Sequence, residues 1–342
     1  MAYTTIKKPS DYFNTKLYTG NGSTNAITGV GFQPDWVWIK KRSATGSHCL
    51  FDAVRGNTKR LQSNTTNAET TETTAITSFD SDGFTLGSGG TANGSGTTLA
   101  SWNWLANGAG SANTDGTISS TVSVNTTSGF SIVSYTGNET VSTIGHGLGV
   151  TPSMIIVKGR IAARDWIVGH HTQGWTKSAM LNSTNAFSSQ THWNNTSPTS
   201  SVFTIEGGSN SNVNTNNAGY IAYCFAEKTG YSKFGSYTGN GSTDGTFIYT
   251  GFKPAFVIIK NTSDSSNEWN MFDNKRDSFN VITKRLVANG DSADAPSTYI
   301  DFLSNGIKCR TSNNLANGSG LSYVYMAFAE EPLVGDNPAT AR

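Results

Sequence analysis

One strand is written three times in this chain. Gly31-Phe32-Gln33-Pro34-Asp35-Trp36-Val37-Trp38-Ile39-Lys40 returns as Gly149-Val150-Thr151-Pro152-Ser153-Met154-Ile155-Ile156-Val157-Lys158 and again as Gly251-Phe252-Lys253-Pro254-Ala255-Phe256-Val257-Ile258-Ile259-Lys260. A Tyr-Thr-Gly-Asn begins upstream of each, at Tyr18, Tyr135 and Tyr237. Each copy closes on a run of small and aromatic residues, and Pro34 to Trp104, Pro152 to Phe225 and Pro254 to Phe328 span 70, 73 and 74 positions. Such near-equal spacing replaces one large unknown fold with three copies of a small one.

The 342 residues divide into copies of about 100 residues, each large enough to close a core. Short runs of β-formers alternate with turn residues: Asp80-Ser81-Asp82-Gly83 between Phe79 and Phe84 is a hairpin turn. Six or seven short strands per copy, without helical period, predict an all-β chain of three tandem antiparallel β-sandwich domains. The expected boundaries are an N-terminal arm at 1–17, copies at 18–106, 129–229 and 230–332, a polar linker at 107–128 and a tail at 333–342. The Gly/Ser/Thr/Asn-rich linker predicts some independence for the first copy, and the short Glu227-Lys228-Thr229-Gly230 joint predicts a tighter pairing of the last two. The two terminal arms, outside the repeat, are expected to order against a neighbouring subunit.

The repeated strand is apolar on both faces. Trp36 and Trp38 point one way and Val37 and Ile39 the other, so one face enters a sandwich core and the second needs another cover. A loop of the same copy is the first expectation for that cover; a sister copy or another subunit is the alternative. Lys40, Lys158 and Lys260, at the strand ends, read as solvated.

Charged residues are 14% of the chain and the net charge is +1, which points away from nucleic acid and from membranes held by charge. The start lacks a secretory apolar stretch, which predicts folding in a cytoplasm. Cys49, Cys224 and Cys309 are odd in number and differently placed, so buried free thiols are expected rather than a disulfide framework.

Candidate chemistry is sparse. The glutamates are isolated, without the closely spaced acids of sandwich glycosidases, and Asp80-Ser81-Asp82-Gly83 lacks the later ligands of a calcium loop. His170 and His171 are neighbours on a strand and point apart, poor geometry for sharing a metal even with His192. We therefore expect no catalytic residue, cofactor or metal. The residues left as ligand or interface candidates are aromatic: Trp36 and Trp38 on the repeated strand, and Trp166, Trp175 and Trp193 in the polar middle of the second copy, where core packing is the competing role.

Phe32 through Lys40, then Leu50-Phe51-Asp52-Ala53-Val54-Arg55-Gly56, then Ser78-Phe79-Asp80-Ser81-Asp82-Gly83-Phe84 resembles a repeated tail-fibre-like domain of virion structural proteins in marine tailed bacteriophages. Ile144-Gly145-His146-Gly147-Leu148-Gly149-Val150-Thr151-Pro152 with Asp165-Trp166 is similar to a second phage-fibre pattern. The resemblance implies sandwiches of the jelly-roll or concanavalin-like kind and a non-enzymatic virion protein assembled in the host cytoplasm. A tail fibre or fibre-like adhesin is expected first, as a homo-oligomer with a trimer favoured, contacting other virion proteins and possible host surface polysaccharide. A capsid decoration or head-fibre protein clamped by its terminal arms is the alternative, and a tailspike-type polysaccharide-degrading enzyme the second.

Overall fold

In a computed structural model, described over residues 3–208, 211–335 and 338–339, the chain is almost entirely antiparallel β-structure. Each copy builds its main sheet from five strands in one order, opening, closing, central, return, outer. In the first copy these are Phe13–Thr19, Thr98–Trp104, Trp36–Lys41, Cys49–Asp52 and Gly56–Leu61. In the second they are Phe130–Thr136, Gly219–Phe225, Met154–Gly159, Trp166–His170 and Lys177–Met180. In the third they are Ser232–Thr238, Ser322–Pro332, Phe252–Asn261, Trp269–Asp273 and Ile282–Val287. Register matches residue for residue. Trp36 lies opposite Trp104 and Asp52, Met154 opposite Phe225 and His170, and Phe256 opposite Phe328 and Asp273.

The Tyr-Thr-Gly-Asn turn owes its recurrence to one buried asparagine per copy. Tyr18, Tyr135 and Tyr237 donate their hydroxyls to the carbonyls of Ala92, Val213 and Ala316. The next residue in each case, Asn93, Asn214 or Asn317, accepts on Oδ1 from the backbone N–H of Asn21, Asn138 or Asn240. Gly20, Gly137 and Gly239 fit because a Cβ there would stand 2.3–2.4 Å from a backbone oxygen. The motif asparagines, Asn21, Asn138 and Asn240, are thus turn residues, and their partners Asn93, Asn214 and Asn317 are all fully buried.

Val37, Ile39 and Phe51 face a core closed by a small sheet of Asn25–Ile27, Gly83–Leu86 and Ile76–Asp80. Ile155, Val157 and Ile167 do the same over Ser142–Gly145 and Val202–Ile205. In the third copy the sheet itself continues past its outer strand through Ala295–Leu303, Gly306–Cys309 and Phe247–Tyr249 over Val257, Ile259 and Phe272. This gives each copy its sandwich character.

The opposite faces of the three main sheets meet. Trp36, Trp38, Trp102 and Trp104 pack with Phe130, Ile132, Met154, Tyr223 and Phe225 of the second copy and with Phe256, Ile258, Met326 and Phe328 of the third in one common core. Ring centroids of Trp36 and Tyr223 are 4.3 Å apart, of Trp102 and Phe256 5.5 Å, and of Phe225 and Phe328 6.1 Å. The expectation of cover from within the same copy is corrected: each copy's second layer already lies on the Val/Ile face, and only the sister sheets remain for the aromatic one.

Two boundaries change with it. Ser111–Asn113 and Ser120–Asn125, inside the expected linker, pair in sequence onto Phe130–Thr136 and widen the second copy's sheet. Asp35 holds the start of this segment by accepting from the N–H groups of Ala106 and Gly108, so the connector belongs to the fold. The expected N-terminal arm is anchored on its own chain: Phe13 opens the first strand and stacks on Phe328 at 5.1 Å, Ile6 is in the common core, and Tyr3 donates to the Gly251 carbonyl. Of the tail, residues 336–337 and 340–342 lie outside the described residues. Among the described residues no helix is long and apolar enough to cross a membrane.

Candidate functional site

Polar residues at the seams between copies follow one cyclic scheme. Lys40 donates to the Asp291 carbonyl of the third copy, Lys158 to Thr66 of the first, and Lys260 to Thr184 of the second, at 2.9–3.1 Å. The three ammonium groups, expected in solvent, are buried, and desolvation lowers each pKa to about 8. Opposite them, His48 bonds the Val287 carbonyl through Nε2, Trp166 donates to Gln62 and Trp269 to Met180. Every copy therefore grips the next in the same direction, and the ring closes.

Buried ion pairs reinforce two of the seams. Between the first and second copies, Tyr223 donates to Asp52, Asp52 holds Arg55 at 2.6 Å, Arg55 reaches Glu69, and Arg160 binds Glu69 through two nitrogens at 2.9 Å. Between the first and third, Trp102 donates to Asp273, Asp273 holds Arg276, and Asp294 takes both Arg276 and Arg42 at 2.9 Å. At the remaining seam His170 replaces the aspartate and contacts the Tyr325 carbonyl at 3.4 Å, while His171 contacts that of Phe234 at 2.7 Å. Burial, then the neighbouring His171, lowers the His170 pKa to about 3. His170 and His171 are seam residues, His192 bonds Ser178 inside the second copy, and among the described residues no three His, Cys, Asp or Glu side chains converge as metal ligands.

The five tryptophans offered by the sequence do not form a surface. Trp36, Trp38 and Trp166 lie in the common core, where they serve an interface within the chain, and Trp175 and Trp193 lie in the second copy's own core. Trp175, the most accessible of them, is 6% exposed, so none presents a ring face to a ligand. Burial also raises the thiols of Cys49, Cys224 and Cys309, all free.

Among the described residues, several acidic side chains are taken up singly by hydrogen bonds and ion pairs. Glu206 takes hydrogen bonds from Thr191 and Ser211, Glu72 pairs with Arg60, Glu227 with Lys233 and Glu330 with Lys253. Glu330 and Glu331 line a crevice of about 200 Å³ with Lys7 and Lys8, but as neighbours on one strand they stand on the same wall of it, and Glu330 pairs with Lys253 at 3.1 Å. A larger crevice of about 320 Å³ beside Asn14–Leu17 and Lys275 has no carboxylate in its lining.

Among the described residues three aromatic rings are exposed, Phe247, Tyr249 and Phe279, all on the third copy. Phe247 and Tyr249, 44% and 52% exposed, share the outer face of a strand whose Ile248 points into the core. Phe247 lies opposite Lys308, and Tyr249 opposite Gly306, where a Cβ would come within 3.0 Å of the Phe247 ring. Lys308 binds Asp244 at 2.7 Å, and Arg310 binds Asp301. Ile27 and Ile144 correspond to Ile248, so the positions of Phe247 and Tyr249 are Ala26 and Thr28 in the first copy and Thr143 and Gly145 in the second. The fold is thus made twice without these rings. Alternation around Ile248 marks both as outward-facing, a signal already present in the sequence Phe247-Ile248-Tyr249.

These features define an all-β protein of three fused sheets with sandwich character, whose copies meet in a common apolar core rimmed by polar seams. The chain belongs to the family described as Domain of unknown function (DUF7483), whose model matches residues 8–332 and so takes in all three copies as a unit. No curated protein and no solved structure matches it.

Proposed function

We propose that the protein is a non-enzymatic structural component of a bacteriophage particle, a tail fibre or fibre-like adhesin, made of three jelly-roll or concanavalin-like sandwiches fused around a common core. The observation that carries this reading is the division of labour among its residues. Groups able to do chemistry, Asp52, Arg55, Asp273, Arg276 and His170, are buried in seams, while Phe247 and Tyr249 are exposed on the outer face of one strand. The sequence resemblance to tail-fibre-like virion domains supplies the particle. Its site of action is then the virion, assembled in the host cytoplasm beside other virion proteins.

A homotrimeric fibre would on this fold be a trimer of three-copy blocks. The decoration alternative loses support from an N-terminal arm bound to its own chain, and the tailspike alternative from the lack of a carboxylate pair across a groove among the described residues. The test is cryo-electron microscopy of particles carrying the chain. Density for the triple sandwich at a fibre or adsorption structure supports the reading; its absence from purified particles refutes it, and placement on the capsid lattice selects the decoration protein.

A further inference from the structure

The geometry points to a saccharide site on the outer face of the third copy, in which Phe247 and Tyr249 stack on the rings of a neutral, hydroxyl-rich glycan and Asp244 accepts its hydroxyls. This rests on the attachment reading above and gives it a place and a ligand class.

The argument begins with the internal control. Two sister copies fold with Ala26 and Thr28, or Thr143 and Gly145, at the same positions, so neither ring is needed for the sheet. Residues i and i+2 of a strand project from one face about 7 Å apart, which lets the two rings serve successive sugars. Gly306, opposite Tyr249, belongs to the shared fold, since a Cβ there would stand 2.2 Å from the Ile248 carbonyl oxygen just as one at Gly83 would meet Ile27 in the first copy.

The surface is the wrong size for a protein. Two aromatic side chains at about half exposure leave on the order of 200 Å² of apolar area, against ~800 Å² per partner in a stable protein interface. It is also the wrong charge for an anion. Lys308 lies across from Phe247 but is held by Asp244, and Arg310 is held by Asp301, so both of these cations are already paired with a carboxylate. The side-chain bond from Lys308 keeps the Asp244 carboxyl below its usual range, and with 85% of its side chain exposed it keeps lone pairs for hydroxyl donors. Aromatic faces with an accepting carboxylate suit C–H-rich rings bearing hydroxyls and disfavour uronates and phosphates.

The test uses the full chain and a double variant that restores the first copy's residues, Phe247→Ala with Tyr249→Thr. Both proteins, matched for circular dichroism and melting temperature, are applied to an array of neutral, uronate-bearing and phosphate-bearing bacterial polysaccharides and to whole candidate host cells. We expect wild type to bind neutral polysaccharides and the double variant to bind them at least about tenfold more weakly. Equal binding by both proteins, or wild-type binding confined to anionic polysaccharides, overturns the site. Cell adhesion that survives in the variant overturns this face while leaving the attachment reading standing, whereas a wild type that binds neither cells nor glycans removes both. Concentration-dependent dimerisation lost in the variant would assign the face to a second copy of the chain instead.

Discussion

The seam between the first and third copies and the seam between the second and third occupy equivalent places in the ring, yet are built from different chemistry. Counting from the carbonyls that take the lysines, Asp294 at one corresponds to Phe187 at the other. Arg42 corresponds likewise to Thr262, Asp273 to His170 and Trp102 to Met326. One is a chain of buried ion pairs; at the other Phe187 packs on Trp269 at 6.2 Å and Met326 joins the common core. A buried ion pair is costly to desolvate and repays that only when every partner is present, while an apolar contact of similar volume does the same work without that condition. The apolar seam joins copies linked by a four-residue stretch, Glu227 to Gly230. The ionic seam joins copies that are far apart in sequence, where directional pairing fixes which surfaces meet.

The largest effect comes from removing the seams altogether. A fragment of residues 18–106 exposes Trp36, Trp38, Trp102 and Trp104, all within 1% of full burial in the whole chain, and lacks Phe13 and Ile6. Such a fragment is expected to give no cooperative melt and no dispersed amide spectrum. A folded monomeric fragment would mean that the common core is dispensable.

Next in size is a single cut in the ionic network. Arg276→Met leaves Asp273 and Asp294 facing each other's charge without their shared cation, and is expected to cost about 3–5 kcal/mol in urea unfolding. Transplanting the apolar solution whole, with Asp273→His, Arg276→Gln, Asp294→Phe, Arg42→Thr and Trp102→Met, is expected to cost less than the single cut. If the fivefold variant is the weaker protein, the two seams are not interchangeable and the comparison fails.

Acid should act on both seams through their histidines. Burial holds His48 and His170 near a pKa of about 3 in the folded chain, against 6.5 for the ordinary group. The unfolded chain binds the extra protons between these values, so the contribution is complete above about pH 6.5 and is lost as pH falls toward 3. Each histidine then removes ~1.4 kcal/mol per pH unit over that window. His48→Trp, which installs the residue found at the two equivalent positions, Trp166 and Trp269, should flatten the fall in melting temperature between pH 6.5 and 4. An unchanged slope would show that the folded chain protonates His48 as readily as the unfolded one.

Much of this was legible from residues alone. The Pro34/Pro152/Pro254 strands and the spacing to Trp104, Phe225 and Phe328 mark the pairs that lie opposite each other across central and closing strands. A strand apolar on both faces demands two covers, but the side chains that supply the second one stand about a hundred residues away and carry no local signal. Ser120-Thr121-Val122-Ser123-Val124 alternates as a strand should, yet its Ser/Thr content reads as linker. Asn214 hides in a Ser/Asn-rich stretch, although it stands five positions before its closing strand just as Asn93 and Asn317 do. Lys40, Lys158 and Lys260 read as solvated because a lysine's burial depends on carbonyls brought by a different copy.

Smaller effects separate what the repeat needs from what one copy has added. Tyr237→Phe removes the hydroxyl donated to the Ala316 carbonyl and should cost about 1 kcal/mol, as should Tyr18→Phe for Ala92, since both serve the shared turn. Phe247→Ala, on the same copy but at a position where the first copy already has alanine, should leave the unfolding midpoint within about 0.5 kcal/mol of wild type. Its neighbour Ile248, 4% exposed, should cost about 2–4 kcal/mol when cut to alanine. A loss at Phe247 comparable to that at Ile248 would make the ring part of the third copy's core packing. The indifference expected instead is what marks a side chain held for something outside the molecule.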